Sequence, residues 1–448
     1  MSLSAKQCHV VRGRRVAAPF ATTAADIDIV GERIAAIEPY GSAPVERVID
    51  AGERLVLPGL IDSHVHTRDP GQTHKEDFHS ASCAAARGGI TTIMAMPNTV
   101  PLIDNPAAFD LAAAAGEKSI VDFALQALAH RSSLDNIEAL AARGAVSFEL
   151  FLGGGPENLI TRDRAAQSAL FAAVAAVGGI MGVYPDDSDL VALLDCGGDA
   201  NAITRAHPAE IEAGALLAAL ALASSKGCRM HVRQVSTALT AMVIGALRKH
   251  GIEMTAEVTP HHLLLTTDDF ARFGPEGLIM PPLRGASDVE ALWQALDAGD
   301  IATIGSDHAP HHRDEKNAGR EDLRKAPPGF PGLETFLPAV LTQWRRRELS
   351  DEAFVSAVSE TPANLFGVSE RKGAIAVGRD ADLVIVDDGA NEAIDCSKFL
   401  SKAKYSPFHG RRVSARVDLT MVRGKIVYAD GAVDEDAQRG RLLRRRGN

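Results

Sequence analysis

Between residues 55 and 366, short apolar runs rich in β-branched side chains alternate with alanine-rich amphipathic stretches. That alternation marks repeated strand–helix units around a parallel sheet, because helices must cover both faces of such a sheet. Eight runs stand out, at 57–63, 91–96, 123–127, 147–152, 179–184, 229–234, 253–258 and 301–306. Eight is the number at which the sheet closes, so the expected fold class is α/β, a (β/α)8 TIM barrel. An open doubly wound sheet is the competing layout, but no glycine-rich nucleotide turn follows the first run.

The two ends of the chain read differently. Before residue 55 and again from 381 to 428, short β-like segments are separated by glycine, proline and polar turns. Neither end is long enough to build a core alone. Residues 1–55 and 370–448 are therefore expected to meet in one composite β-sandwich beside a barrel of residues 56–369.

Composition narrows the function classes. The 448 residues are 46% hydrophobic and 23% charged, as in an ordinary globular protein. A net charge of −11 argues against nucleic acid or an anionic membrane as partner. Cys8, Cys83, Cys196, Cys228 and Cys396 are scattered and never form C-x-x-C, which argues against a disulfide framework and against a thiolate metal site. A reducing, cytoplasmic setting is the expectation. Charge breaks each alanine-rich helix before 18 apolar residues accumulate, so no membrane span is expected.

The chemistry concentrates at two strand ends. In Pro58-Gly59-Leu60-Ile61-Asp62-Ser63-His64-Val65-His66, strand alternation points His64 and His66 to one face. At the C-terminal end of a barrel strand that face carries active sites, and two imidazoles there make half of a metal site. Far along the chain, Ile304-Gly305-Ser306-Asp307-His308 sets a carboxylate directly after an apolar run. There it suits a metal ligand that also accepts a proton. Alone it would serve equally as a helix N-cap.

These segments, with Arg68-Asp69-Pro70-Gly71, Met96-Pro97-Asn98-Thr99, Thr259-Pro260-His261-His262-Leu263, Pro281-Pro282-Leu283-Arg284 and Pro331-Gly332-Leu333-Glu334-Thr335, make the chain recognisable. It resembles the amidohydrolase superfamily, and within it the dihydroorotase, hydantoinase and allantoinase group. The resemblance runs through nearly the whole chain. It implies a small cyclic amide or imide as substrate, a divalent metal cofactor, and a homo-oligomer, a dimer or a tetramer.

The departures from the group's pattern are informative. Glu149 stands where the group carries a metal-bridging carboxylated lysine, Tyr184 and Gln234 stand where it carries two histidines. A phenol with pKa near 10 and a neutral amide are poor replacements for imidazole on zinc. The resemblance therefore implies one zinc ion on His64, His66 and Asp307, with Glu149 as fourth ligand. Asp307 is the expected catalytic base, and Arg68, Asn98 and His311 the expected substrate contacts. Met280 replaces an asparagine that usually precedes Pro-Pro-Leu-Arg. His231, three residues before Gln234, is expected to be structural. Ring-opening hydrolysis is the expected activity, and the alternative is a non-catalytic subunit that stabilises a partner enzyme.

Overall fold

Gly59 is where the chain passes from one structural unit to another. Its N–H donates to Asp382 O at 2.9 Å, whereas the next N–H, of Leu60, donates to Gly89 O at 3.1 Å. The run at 57–63, expected as one strand, is thereby split: Leu55–Pro58 joins the sheet built by the chain ends, and Leu60–Val65 opens the barrel. The computed structural model describes residues 10–18, 21–44, 48–195, 197–436 and 439–445, and Cys8, Cys196 and Arg446 lie outside them.

The barrel strands are Leu60–Val65, Ile90–Ala95, Asp122–Leu125, Phe148–Phe151, Ile180–Tyr184, Arg229–Val232, Thr255–Val258 and Thr303–Ile304. Every paired neighbour among them runs parallel. The ring closes where His66 N donates to His308 O at 2.8 Å, beside a parallel bridge between Val65 and His308. Ala127–Leu128 carries the pairing from the third strand region to Phe148–Phe151. Burial on both faces explains why these runs are apolar throughout rather than alternating.

The chain ends form one continuous nine-stranded sheet, in which Val10–Ala18 pairs with Leu55–Pro58 and the latter with Leu383–Asp387. It has an apolar core of its own around Val11, Ile27, Val56, Leu383 and Met421. Lys372 fixes this sheet to the barrel. Its buried Nζ lies 2.6 Å from Asp122 Oδ2 on the third barrel strand and 2.6 Å from Asp382 Oδ2 beside the sheet.

The arginine-rich C-terminus docks on the barrel: Phe123 N donates to Arg441 O (3.0 Å), Leu443 N donates to Phe123 O (2.7 Å), and Arg441 pairs with Glu32. The third barrel strand leaves its other edge open to this segment, so the tail docks there. The stretch Ala200–Lys226 is also long and apolar enough, by composition, to cross a membrane. Here it is two helices, Ala200–Ala206 and Ala209–Lys226, and the second buries Leu216, Ala219 and Ala223 in the barrel core. Cys83, Cys228 and Cys396 are free and buried.

Candidate active site

His64 and His66 leave the end of the first barrel strand on one face, and Asp307 follows the eighth. Their ligating atoms all lie within 4.8 Å of one another, and all three residues are buried. Two side chains outside this trio decide how the imidazoles present themselves. His64 Nδ1 donates to Glu257 Oε1 at 2.7 Å, and His66 Nδ1 donates to Asn98 Oδ1 at 2.7 Å. With each Nδ1 proton assigned, each Nε2 is turned toward Asp307, at 3.4 Å from His64 and 3.1 Å from His66. This is the arrangement by which outer-shell acceptors select the ligating tautomer of a histidine.

The electrostatics agree with a cation between these groups. Burial pushes the His66 imidazole down to about 4, so it is neutral at physiological pH. Burial would lower the His64 imidazole, but Glu257 and Asp307 raise it, and this positive charge, with the His66 contact, outweighs burial at the Asp307 carboxyl and holds it down at about 2. A neutral imidazole nitrogen whose proton is spent on Asn98 therefore faces an ionised carboxylate oxygen across 3.1 Å. Two lone-pair donors at that distance, desolvated, fit one divalent ion.

Glu149 is not brought to this group, which corrects its expected role as fourth ligand. It is fully buried on Phe148–Phe151, where both carboxylate oxygens receive hydrogen bonds from Arg233, Nε to Oε2 at 3.1 Å and Nη2 to Oε1 at 2.9 Å. Arg233 also donates Nη1 to Glu257 Oε2 at 2.7 Å and to Ser63 O at 3.3 Å, and Nη2 to Gln126 Oε1 at 2.5 Å. All five guanidinium N–H groups are spent, so Arg233 is a fixed internal cation with no donor left for a ligand. Glu149 and Glu257 together hold its charge firmly in place, overcoming the burial that opposes it.

Tyr184 and Gln234 also contribute no second set of ligands. The Tyr184 hydroxyl lies 3.0 Å from His64 Nε2, and burial pushes its phenol well above its ordinary value, so it is a neutral hydrogen-bonding group. Gln234 Nε2 donates to Asp307 Oδ2 at 2.6 Å. Both side chains are thus hydrogen-bonded to the trio itself.

The expected substrate contacts fall in one cavity with the trio, lined among others by Arg68, Asn98, His311, Phe151, Tyr184 and Met280. Arg68 is buried, donates Nη2 to His311 Nε2 at 2.9 Å and Nε to Pro310 O at 3.3 Å, and forms no ion pair with a carboxylate among the described residues. Burial pulls its guanidinium down to about 10. Burial and the neighbouring Arg68 and Lys75 charges keep His311 neutral. Asn98 uses its carbonyl on His66, so only its amide nitrogen is left for a ligand. Arg68, Gln234 and Asp307 all adopt left-handed backbone conformations, with φ of 58°, 51° and 47°. Non-glycine residues hold that conformation only where the surroundings enforce it, and such positions cluster at functional sites.

The sequence reading missed Arg233 and Glu257. The available signal was a charged residue within or directly after an apolar barrel strand, a costly placement unless the charge is paired. His231, expected to be structural, is buried with Nδ1 2.8 Å from Thr255 Oγ1 and its ring edge-on to Phe366. His261, quoted only as part of a motif, is buried nearby with Nε2 unpartnered.

Known proteins share this architecture. Residues 196–427 match the Amidohydrolase family and residues 53–124 match the Dihydro-orotase-like family. The chain is 36% identical to an L-hydantoinase of Paenarthrobacter aurescens, with 98% of each chain covered, and 34% identical to a dihydroorotase of Methanosarcina mazei, with 90% of each covered. The solved structure of an L-hydantoinase (dihydropyrimidinase) from Arthrobacter aurescens superimposes with a TM-score of 0.93 at 35% identity, over 97% of this chain and 99% of that one. With the barrel, the paired histidines and the strand-eight aspartate, these likenesses establish that the chain belongs to the amidohydrolase family, in the group that holds the hydantoinases and dihydroorotases.

Proposed function

We propose that this protein hydrolyses the ring C–N bond of a cyclic amide, imide or ureide, using one divalent ion, zinc, held by His64, His66 and Asp307. The observation that carries this reading is the pair of imidazoles whose Nδ1 protons are each assigned to a dedicated acceptor, so that both Nε2 atoms turn toward one ionised carboxylate. A purely scaffolding subunit has no physical need for that arrangement, which weighs against the non-catalytic alternative.

When bound, the ion supplies Lewis-acid polarisation of a carbonyl and lowers the pKa of water beside it. The protein's own groups do the rest. Asp307, ionised across the physiological range, accepts a proton from the attacking water and returns it to the ring nitrogen as the C–O bond forms and the C–N bond breaks. Gln234 Nε2 orients the carboxylate through Oδ2. Arg68, a buried guanidinium without a carboxylate partner, is suited to an anionic oxygen or carboxylate on the substrate. Phe151 and Tyr184, stacked at 4.2 Å, and Met280 give the cavity an apolar wall for the ring. The count of one ion rests on Arg233, which already balances Glu149 and Glu257 and would repel a second divalent ion.

Elemental analysis of protein purified without chelator, paired with a ring-opening assay on hydantoins and dihydropyrimidines, tests the reading. The expected result is close to one ion per chain lost on replacing both His64 and His66 by asparagine, and turnover that a chelator removes and zinc restores. Two ions lost in that variant would overturn the count. No ion lost in that variant and no turnover on any cyclic amide would return the protein to the non-catalytic alternative.

A further inference from the structure

The helix Phe78–Arg87 follows the strand of the paired histidines, and its outer face carries a second group of donor atoms. His79 and Cys83 stand one turn apart, the i,i+4 spacing that puts two side chains on one helix face. Glu435 reaches them from the other end of the chain, just beyond the short strand Ala432–Val433. His79 Nε2 lies 3.2 Å from Glu435 Oε2 and 3.9 Å from Cys83 Sγ, and the three ligating atoms are all within 4.8 Å of one another.

We propose that His79, Cys83 and Glu435 form a second, structural site for a borderline-soft divalent ion such as zinc, outside the barrel mouth. Geometry is the main argument. Tetrahedral zinc with ordinary bond lengths to nitrogen, oxygen and sulfur separates its N and O ligands by about 3.4 Å and its N and S ligands by about 3.6 Å. The observed 3.2 and 3.9 Å differ from these by less than a side-chain adjustment. Helix spacing brings the sulfur to the His79 nitrogen, and Glu435 brings a carboxylate to the same atom, so three donors converge on one point.

Cys83 is only 5% exposed, and Glu435 sets a carboxylate beside it and His79. The carboxylate and the thiolate would balance a divalent ion, and binding would release the thiol proton. The groove beside the group carries Glu117 and Asp436 as well as Lys118 and Arg439, and Lys118 is already committed to Asp69 at 2.8 Å. Asp436 or water can supply the fourth position that three protein ligands leave open.

Such an ion would staple the chain's end to the barrel. Glu435 lies between the strand Ala432–Val433, paired in the nine-stranded sheet, and the segment whose Arg441 and Leu443 dock on the third barrel strand. The helix that carries His79 and Cys83 buries Phe78, Ala84 and Ala85 in the barrel core. The site thus ties sheet, tail and barrel together at one point, independently of any ring-opening chemistry.

Cobalt(II) titration of the full-length, chelator-treated protein tests this directly. Of the two groups found among the described residues, only this one offers a sulfur donor, because the group at the barrel mouth has nitrogen and oxygen donors alone. The expected result is a sulfur-to-cobalt charge-transfer band that saturates at one equivalent, disappears in Cys83→Ser, weakens at least tenfold in affinity in His79→Gln or Glu435→Gln, and persists in Asp307→Asn. Zinc should raise the melting temperature of Asp307→Asn by more than that of the double variant Cys83→Ser/Asp307→Asn. No such band in the wild type, or a band that survives Cys83→Ser, would overturn the proposal. Either outcome leaves the ion at the barrel mouth to be judged by the ions lost when His64 and His66 are replaced.

Discussion

On the side of the barrel mouth built by Leu60–Val65 and Thr303–Ile304, His64, His66 and Asp307 turn open donor atoms toward one point. Across the mouth, on Phe148–Phe151, Ile180–Tyr184 and the end of Arg229–Val232, the corresponding positions hold Glu149, Tyr184, Arg233 and Gln234, each bonded to another protein group. Both sides bury carboxylates, and a buried carboxylate needs a compensating positive charge. On the first side the proposed ion would supply that charge. The second takes it from a guanidinium supplied by the chain. Glu257 serves both, accepting from His64 through Oε1 and from Arg233 through Oε2. On the second side Arg233 balances both Glu149 and Glu257, so those buried carboxylates are not left unpaired.

The largest effect expected from this contrast is on activity. Asp307→Asn should keep the fold and lose roughly 10²–10⁴-fold in ring-opening rate, the usual cost of removing a positioned base. Near wild-type turnover of any cyclic amide in that variant would take Asp307 out of the mechanism. Arg233→Met should act on stability instead. It strands Glu149 and Glu257, and breaking a buried ion pair from one side costs about 3–5 kcal/mol. Urea unfolding measures it, and the double variant Arg233→Met/Glu149→Gln should recover part of the loss. If the single variant is as stable as wild type, the guanidinium is not the internal counter-ion.

Two glycines sharpen the comparison at smaller amplitude. A methyl group at Gly182 would stand 2.1 Å from Glu149 Oε2, and one at Gly305 would stand 2.6 Å from Glu257 Oε2 and 2.9 Å from His64 Cβ. Overpacking of this kind costs about 1–3 kcal/mol. Gly182→Ala should lower stability and leave metal affinity alone, whereas Gly305→Ala should weaken metal binding as well. Equal effects of both on zinc affinity, by calorimetric titration, would erase the distinction between the sides.

The smallest expected effect concerns the ring contact. Dihydroorotate should be a poor substrate, and Tyr184→His with Gln234→His should not restore it. Met280 lines the cavity without an amide, and an unmatched buried polar group costs about 1–3 kcal/mol, tenfold to a hundredfold in affinity. Two added imidazoles would also meet the Arg233 charge. Efficient turnover of dihydroorotate by the zinc-loaded wild type would show that Met280 does not select against it.

Periodicity alone carried the barrel, because a parallel sheet buried on both faces forces continuous apolar runs, and all eight expected runs contain a strand. Local alternation likewise put His64 and His66 on one face, and an acid after an apolar run marked Asp307. Those are short-range properties, written in neighbouring residues. Glu149 was misjudged because its partner, Arg233, follows a strand two places round the barrel, and no local pattern says which buried carboxylates a guanidinium will join. The split at Gly59 depended on which carbonyl each N–H could reach, in the sheet or in the barrel. The docked arginine-rich tail depended on an open strand edge elsewhere in the fold. The cluster of His79, Cys83 and Glu435 joins one helix turn to the far end of the chain. Sequence determines what each segment is able to do, and tertiary structure decides which buried charges meet, because desolvation makes every such charge depend on partners that only folding brings close.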